Sequence, residues 1–324
     1  MINTEIFTST NTAQRLLNDY DSGSLSHAYL IIGDKGSGKF TLATAFAQLI
    51  LCEDPQDGKP CGRCACCSYF ESFDSHPNVT VLTTGNKASI GVKEIREMSE
   101  NVFTAPYMGS KKIYIIKEAE KLTPQAQNAM LKLIEEPPEY AVFFLLASTR
   151  YSMLSTVISR CRLLNMTPYP KHVLEGIIRD KAPETDSATS AALISRAQGN
   201  PGRLLSSISK DDSIRTQVVT SVEALLTQNM EAVLDSVNFI DSRESAISFV
   251  FTLNEIMRDV SVYKLEENAS HIINTDLEEL IARVAQSTSL KKIVQFLDDI
   301  RDTHKMLTGN VTYQLCVKSL LLKW

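Results

Sequence analysis

Five of the seven cysteines fall between Cys52 and Cys67. Thiols this closely grouped point to a metal site, because disulfide frameworks spread their cysteines along the chain. Cys52, Cys61, Cys64 and Cys67 are separated by eight, two and two residues. Four thiolates at such spacing can close a tetrahedron around a structural Zn²⁺. Asp57-Gly58-Lys59-Pro60 supplies turn residues within the long spacer. Cys66 lies between two of these positions and offers a second register, and reduced cysteines without a metal are the other reading. Cys161 and Cys316 read as packed thiols.

A second constellation begins at Gly33 and runs G-D-K-G-S-G-K-F-T to Thr41. Glycines let backbone amides curl around an anion, and a helix that opens at the same point adds its dipole. Gly33, Gly36, Ser37, Gly38, Lys39 and Thr41 are therefore candidate phosphate-binding residues, with Lys39 reaching the terminal phosphates. The loop departs from the usual pattern because Phe40 stands where a Mg²⁺-binding hydroxyl belongs. Thr41 is one residue further on, and one helical step turns a side chain by about 100°. An apolar segment, Ile113–Ile116, leads to Lys117-Glu118 at the place where an Asp-Glu pair would complete a metal site. Glu118 keeps the water-activating carboxylate, but Lys117 puts a cation where Mg²⁺ needs an anion. Phosphoryl transfer depends on that metal, so nucleotide binding, weak if it occurs, is compatible with the residues, whereas Mg²⁺-dependent hydrolysis is not.

The elements needed to position these residues are legible around them. Apolar runs at Ala28–Ile32, Val79–Leu82, Ile113–Ile116 and Val142–Ala147 suit buried strands. Helical patterns at Phe40–Leu51, Lys93–Phe103 and Pro124–Glu135 alternate with them, which implies a parallel α/β sheet over about residues 1–165. Residues 166–208 read as a small helical region containing Gly199-Asn-Pro-Gly202. All eleven prolines lie at or before Pro201, and beyond Gly202 the one glycine is Gly309. Residues 209–324 are therefore expected to be all helical, with three- and four-residue apolar spacing at Val218–Leu226 and Ile293–Ile300. Glu135-Glu136-Pro-Pro reads as a helix end without a chemical role.

The 324 residues fit two or three domains, and 44% hydrophobic with 22% charged residues is ordinary globular composition. The longest apolar run, around Ala141–Ala147, is far short of the ~20 residues of a membrane helix. Met1-Ile-Asn-Thr-Glu lacks a basic segment before an apolar one, so a soluble, cytoplasmic protein is expected. The net charge is −5. Residues 211–324 carry 11 Lys/Arg against 17 Asp/Glu and residues 1–210 carry 22 against 21. Neither part has the basic excess of an independent nucleic-acid binder.

Ser159-Arg160-Cys161 is a weak signal alone. In order with the glycine loop, the cysteine cluster, the Asn128–Pro138 segment and Gly199-Asn-Pro-Gly-Arg203, it gives the chain a resemblance to bacterial clamp-loader subunits of the AAA+ class. The resemblance covers about residues 5–205 and implies an AAA+ core with an inserted zinc module at 52–67, a helical lid and a C-terminal oligomerisation domain. It further implies that Arg160 acts in trans, as an arginine finger, on the ATP of a neighbouring subunit. Ser148-Thr149 would occupy the sensor-1 region, with Thr149 facing nucleotide. The implied partners are gamma/tau and delta subunits, the beta sliding clamp and, through the complex, primed DNA. In ATP-hydrolysing members an arginine lies three residues after the lid glycine, where this chain has Gly202 and then Arg203. That departure, with Phe40 and Lys117, favours a non-hydrolysing subunit. A hydrolysing gamma/tau-type subunit and a zinc-dependent nucleic-acid-binding module are the alternatives.

Overall fold

The computed structural model describes residues 9–71, 76–85, 87–208, 212–266, 271–307, 309 and 311–324. The first residues, read above for a signal, and the expected start of the C-terminal domain at 209 lie outside them. Two compact units are present. One comprises the chain up to Leu174 with Gly199–Gly202, and the other comprises Glu175–Gln198 with Arg203–Trp324. The helical region expected over 166–208 thus contributes residues to both.

The first unit is built on a five-stranded parallel sheet of β1 (Ala28–Ile32), β2 (Val79–Leu82), β3 (Lys112–Ile116), β4 (Ala141–Ala147) and β5 (Arg162–Asn165), in the order β2-β3-β4-β1-β5. β5 was not anticipated, because Arg162 and Asn165 at its ends are exposed and interrupt the apolar pattern. Side chains alternate strictly between the two faces, as a pleated strand requires. Tyr29, Ile31, Ile113, Ile115, Val142, Phe144 and Leu146 pack beneath α1 (Asn11–Asp21) and α2 (Lys39–Leu51). Ala28, Leu30, Tyr114, Ile116, Phe143 and Leu145 meet α4 (Val92–Val102) and α5 (Pro124–Glu135). Between α2 and α4 lies the four-residue α3 (Ala65–Ser68). Tyr29 stacks on Phe144 at 5.4 Å and Tyr114 on Phe143 at 5.1 Å between ring centroids. Each fully buried large apolar side chain contributes roughly 1.5–3 kcal/mol, which makes this sheet a stiff platform.

Strand order decides what becomes neighbours. With β4 between β1 and β3, the carboxyl ends of these three strands lie side by side, and each leads into a segment marked by the sequence. β1 leads to the glycine loop, β3 to Lys117-Glu118 and β4 to Ser148-Thr149. Ligand sites of parallel sheets lie at this edge. α5 begins there, capped by the Thr123 hydroxyl and opened by Pro124. It buries Ala126, Met130, Leu133 and Ile134 at helical spacing and ends at Glu135, by the opposite edge. α6 (Ser155–Ile158) precedes β5.

The second unit is helical. It comprises most of α7 (Lys171–Lys181), α8 (Ser187–Ala197), most of α9 (Pro201–Ile208), α10 (Asp212–Leu226), α11 (Met230–Asp235), α12 (Arg243–Glu266), α13 (Glu278–Ser287), α14 (Leu290–Leu307) and α15 (Tyr313–Leu321). α12 buries Ala246, Phe249, Val250, Leu253, Ile256, Met257 and Val260. Its Asp259 is fully buried and satisfied by the backbone amides of Ile273 and Asn274 at 2.9 and 2.7 Å and by Arg258 at 2.9 Å. Among the described residues, no helix is long and apolar enough to cross a membrane.

Candidate functional site

Gly36 and Gly38 both hold left-handed backbone, at φ +81° and +83°, and Gly38 caps α2. The glycine loop therefore has the curled form that the sequence implies. Several of its polar groups are already engaged. The Lys39 ammonium is turned back on the carbonyls of Gly33 and Asp34, the second at 2.8 Å. Burial pushes the pKa of Lys39 down, opposed by the charges of Glu120 and Asp34. Asn200 donates through Nδ2 to the Lys35 carbonyl at 3.0 Å, and the Gly202 amide donates to the Gly36 carbonyl at 2.9 Å. Gly202 approaches so closely that a Cβ there would collide with Gly36 Cα. A Cβ on Gly33 would meet Met166 at 2.7 Å, and one on Gly38 would meet the Tyr169 hydroxyl at 3.0 Å. Ser37 Oγ is buried and has no partner among the described residues, while Thr41 is exposed on the first turn of α2.

The two departures from a metal-binding pattern prove to be one contact. Lys117 Nζ sits 3.4 Å from the centroid of the Phe40 ring, a cation–π pair. Glu118 has left-handed backbone at φ +51° and is drawn to Lys121 at 2.7 Å while accepting from Thr84 Oγ1 at 3.0 Å. Lys121, then Thr84, hold its carboxyl below the usual range against the effect of burial. The carboxylate joined to the end of β4 is Glu120, whose Oε1 accepts from Ser148 Oγ at 2.5 Å and whose Oε2 is buried without a partner among the described residues. Thr149 Oγ1 accepts from the Tyr151 amide in its own turn, at 3.3 Å. Sequence reasoning did not single out Glu120, Met166, Tyr169 or Asn200. The Gly199–Gly202 run was visible, but its docking place depends on the fold.

Arg160 stands at the other edge of the sheet. β5 runs parallel to β1 with Tyr29 opposite Arg162 and Ile32 opposite Asn165, so Arg160 precedes the start of the strands, whereas the glycine loop follows their ends. At about 3.3 Å per residue, the five residues of β1 separate these levels by on the order of 13 Å. Arg160 is 38% exposed and its Nε lies 2.8 Å from Glu135 Oε1. Nη1 donates to the Thr156 carbonyl at 2.9 Å and to Ser159 Oγ at 3.3 Å. The neighbouring Cys161 thiol is pushed up to about 12 by burial, as expected of a packed cysteine. Arg162 pairs at 2.7 Å with Asp19, which is buried and bonded to the Tyr29 hydroxyl.

The cysteine cluster follows α2. The Sγ atoms of Cys52, Cys61, Cys64 and Cys67 lie within 4.8 Å of one another and could hold a metal ion. Asp57 and Gly58, at φ +50° and +69°, form a two-residue hairpin turn closed by reciprocal Gln56–Lys59 backbone bonds of 2.9 Å. That turn returns the spacer to Cys61. Backbone amides point at the sulfurs: Cys61 N at Cys52 Sγ (3.2 Å), Cys64 N at Cys61 Sγ (3.3 Å) and Cys67 N at Cys64 Sγ (3.4 Å). Such donors favour thiolate, and the Arg63 amide, with help from that of Cys64, lowers the Cys61 thiol to about 6 against the opposing effect of burial. Burial pushes Cys52 and Cys67 upward. Cys66 points away toward Glu53, at 3.8 Å, and burial raises it to about 11.

A parallel sheet with a glycine loop between β1 and α2, joined to a helical C-terminal unit, defines the class of chain. This chain belongs to the DNA polymerase III delta-subunit family: the model described as "DNA polymerase III, delta subunit" matches residues 8–170, and that described as "DNA polymerase III, delta subunit, C terminal" matches residues 209–324. It is 28% identical over 317 residues to DNA polymerase III subunit delta' of Escherichia coli K12, covering 96% of this chain and 92% of that protein. It is also 28% identical over 315 residues to the delta' subunit of Bacillus subtilis 168, covering 95% and 93%. To DNA polymerase III subunit gamma/tau of Mycoplasma pneumoniae it is 30% identical over 267 residues, covering 74% of this chain but 38% of that one.

Proposed function

We propose that this chain is a delta'-type subunit of a bacterial sliding-clamp loader, that it does not hydrolyse ATP, and that it lends Arg160 to the ATP site of a neighbouring subunit. The observation that carries this reading is the opposition of the two edges. The glycine loop has Lys117 and Phe40 in contact where metal ligands would stand, while Arg160 lies beyond reach of that loop on a partly exposed surface. A guanidinium presents a planar fork of donors to phosphate oxygens and stabilises charge that develops on the transferring group.

In this reading the chain is an AAA+ subunit with a core at 1–165, a lid at 166–208 and an oligomerisation domain at 209–324. Cys52, Cys61, Cys64 and Cys67 hold a structural Zn²⁺, for which near-contact sulfurs and amide donors are a suitable set. The loop of Gly33, Gly36, Ser37, Gly38, Lys39 and Thr41, with Thr149 at the end of β4, binds ATP weakly or not at all, and Mg²⁺ is not held. The partners are gamma/tau and delta subunits, the beta clamp and, through the assembly, primed DNA in the cytoplasm. The test is co-purification with gamma/tau and delta subunits, followed by ATPase assays of the chain alone and of the complex. No turnover alone and slowed turnover in an Arg160→Ala complex are expected. Robust turnover by the isolated chain that Lys39→Ala abolishes would instead make this a hydrolysing subunit.

A further inference from the structure

We propose that Glu135 is the positioning residue for Arg160, fixing the guanidinium so that its free Nη2 group meets the neighbour's phosphate. The inference rests on the trans-acting reading given above. Glu135 ends α5, a helix anchored in the core by Met130, Leu133 and Ile134. Its carboxylate is therefore carried by a rigid element rather than by a loop. It ion-pairs with the Nε side of Arg160 at 2.8 Å. On the other flank Nη1 is taken by the Thr156 carbonyl and Ser159 Oγ. Among the described residues Nη2 makes no hydrogen bond.

Two elements distant in sequence, the end of α5 and the short α6 with the residue after it, thus grip Nε and Nη1 and leave Nη2 to a ligand. An arginine alone on a surface loses considerable side-chain freedom when it is ordered, and binding an already oriented fork avoids that loss. Both side chains are partly exposed, at 38% and 43%, so an isolated pair here contributes little to folding. Fixing the orientation of Arg160 is the consequence that remains for this contact. A carboxylate behind the arginine also keeps the free subunit's surface from carrying an uncompensated cation. It pairs at Nε and leaves Nη2 to the phosphate.

The experiment is steady-state ATPase of the assembled complex carrying Glu135→Ala, Glu135→Gln, Arg160→Ala or both alanine changes in this chain. Zinc content and co-purification check that each variant folds and assembles. Glu135→Ala should lower kcat by about tenfold, within the ~10²-fold that misplacing a catalytic group can cost, with KM for ATP unchanged. Glu135→Gln, which keeps shape and an acceptor oxygen, should recover part of the loss. In the Arg160→Ala background, Glu135→Ala should have no further effect, because both act through one group. Wild-type kcat for Glu135→Ala beside a slow Arg160→Ala complex would overturn the positioning role alone. So would an equal loss from Glu135→Ala in both backgrounds, the mark of a merely structural residue. A silent Arg160→Ala would remove the trans-acting arginine itself, and the role of Glu135 with it.

Discussion

The two edges of the sheet answer the same chemical demand in opposite ways. At the carboxyl edge, groups that would serve a nucleotide are spent on the chain itself. Lys39 bonds to loop carbonyls, Lys117 lies on Phe40, Glu118 pairs with Lys121, and Asn200 and Gly202 pack on the loop. At the amino edge, Arg160 is held at Nε and Nη1, and Nη2 makes no hydrogen bond among the described residues. In the proposed reading the glycine loop serves as a structural turn without metal chemistry, because its curled backbone still joins β1 to α2. A free Nη2 on this arginine has no comparable structural use, and the proposed role at a neighbour's site rests on this asymmetry.

The sharpest way to break that contrast is Arg160→Ala. Loss of an arginine finger costs about 10³–10⁵ in rate at the affected site, and a complex with several sites should lose less in total. Arg160→Lys should rescue poorly, since a point charge lacks the fork geometry. Clamp loading and DNA-stimulated ATPase are the measurements, and wild-type rates would reduce the chain to a scaffold. Arg162, two residues on, is unsuitable as a neutral control because its pairing with buried Asp19 makes its removal a test of folding.

The next largest effect concerns the cysteine cluster, where zinc should be present at about one per chain. Cys61→Ser or Cys64→Ser should release the metal and destabilise residues 52–67, read by metal analysis and by proteolysis of the purified chain. Cys66→Ser should keep the metal, since Cys66 Sγ points to Glu53. Metal lost with Cys66→Ser alone would mean that the other register is used.

What was legible in the sequence follows the physics. The strands Ala28–Ile32 and Val79–Leu82 and the helix Pro124–Glu135 could be bounded to the residue, because apolar runs, a capping threonine and an N1 proline are local signals. Four thiols at ligand spacing were equally local. The contact of Lys117 with Phe40 was not, although both residues stood out as departures, because strands remote in sequence bring them together. Glu135 was passed over as a helix end for the same reason. Its partner lies 25 residues away, across β4 and α6. The Gly199–Gly202 run was visible as a motif of the helical region, yet only the fold shows that it needs glycine to pass Gly36.

That close passage gives a smaller, separate test. Gly202→Ala places a methyl group against Gly36 Cα, where backbone rather than a flexible side chain must yield. Overpacking of this kind typically costs about 1–3 kcal/mol, and a lowered Tm of the isolated chain is the expected result. An unchanged Tm would mean that the Asn200–Gly202 segment does not hold the loop in solution.

The smallest expected effect belongs to Lys117, and it tests whether the altered carboxyl edge is a stable replacement or simply a damaged site. A cation over an aromatic face contributes about 0.5–1 kcal/mol when exposed and about 2 when desolvated. Lys117→Met retains the aliphatic packing on Phe40 and removes the charge, so it isolates that contribution and should lower stability by about 0.5–2 kcal/mol. If the pair is a replacement, the single changes Lys117→Asp and Phe40→Ser should each destabilise the chain, and the double change should cost less than their sum, because either change alone already abolishes the contact. The double variant also restores the two ligand types that Mg²⁺ would use. Its ATP affinity, measured by calorimetry with and without Mg²⁺, then separates the two obstacles at this edge. Metal-dependent binding gained by the double variant would show that the cation and ring were the barrier. No gain would place the barrier in the packing of Asn200 and Gly202 on the loop, and adding Gly202→Ala to the double variant would then be the change that loosens it.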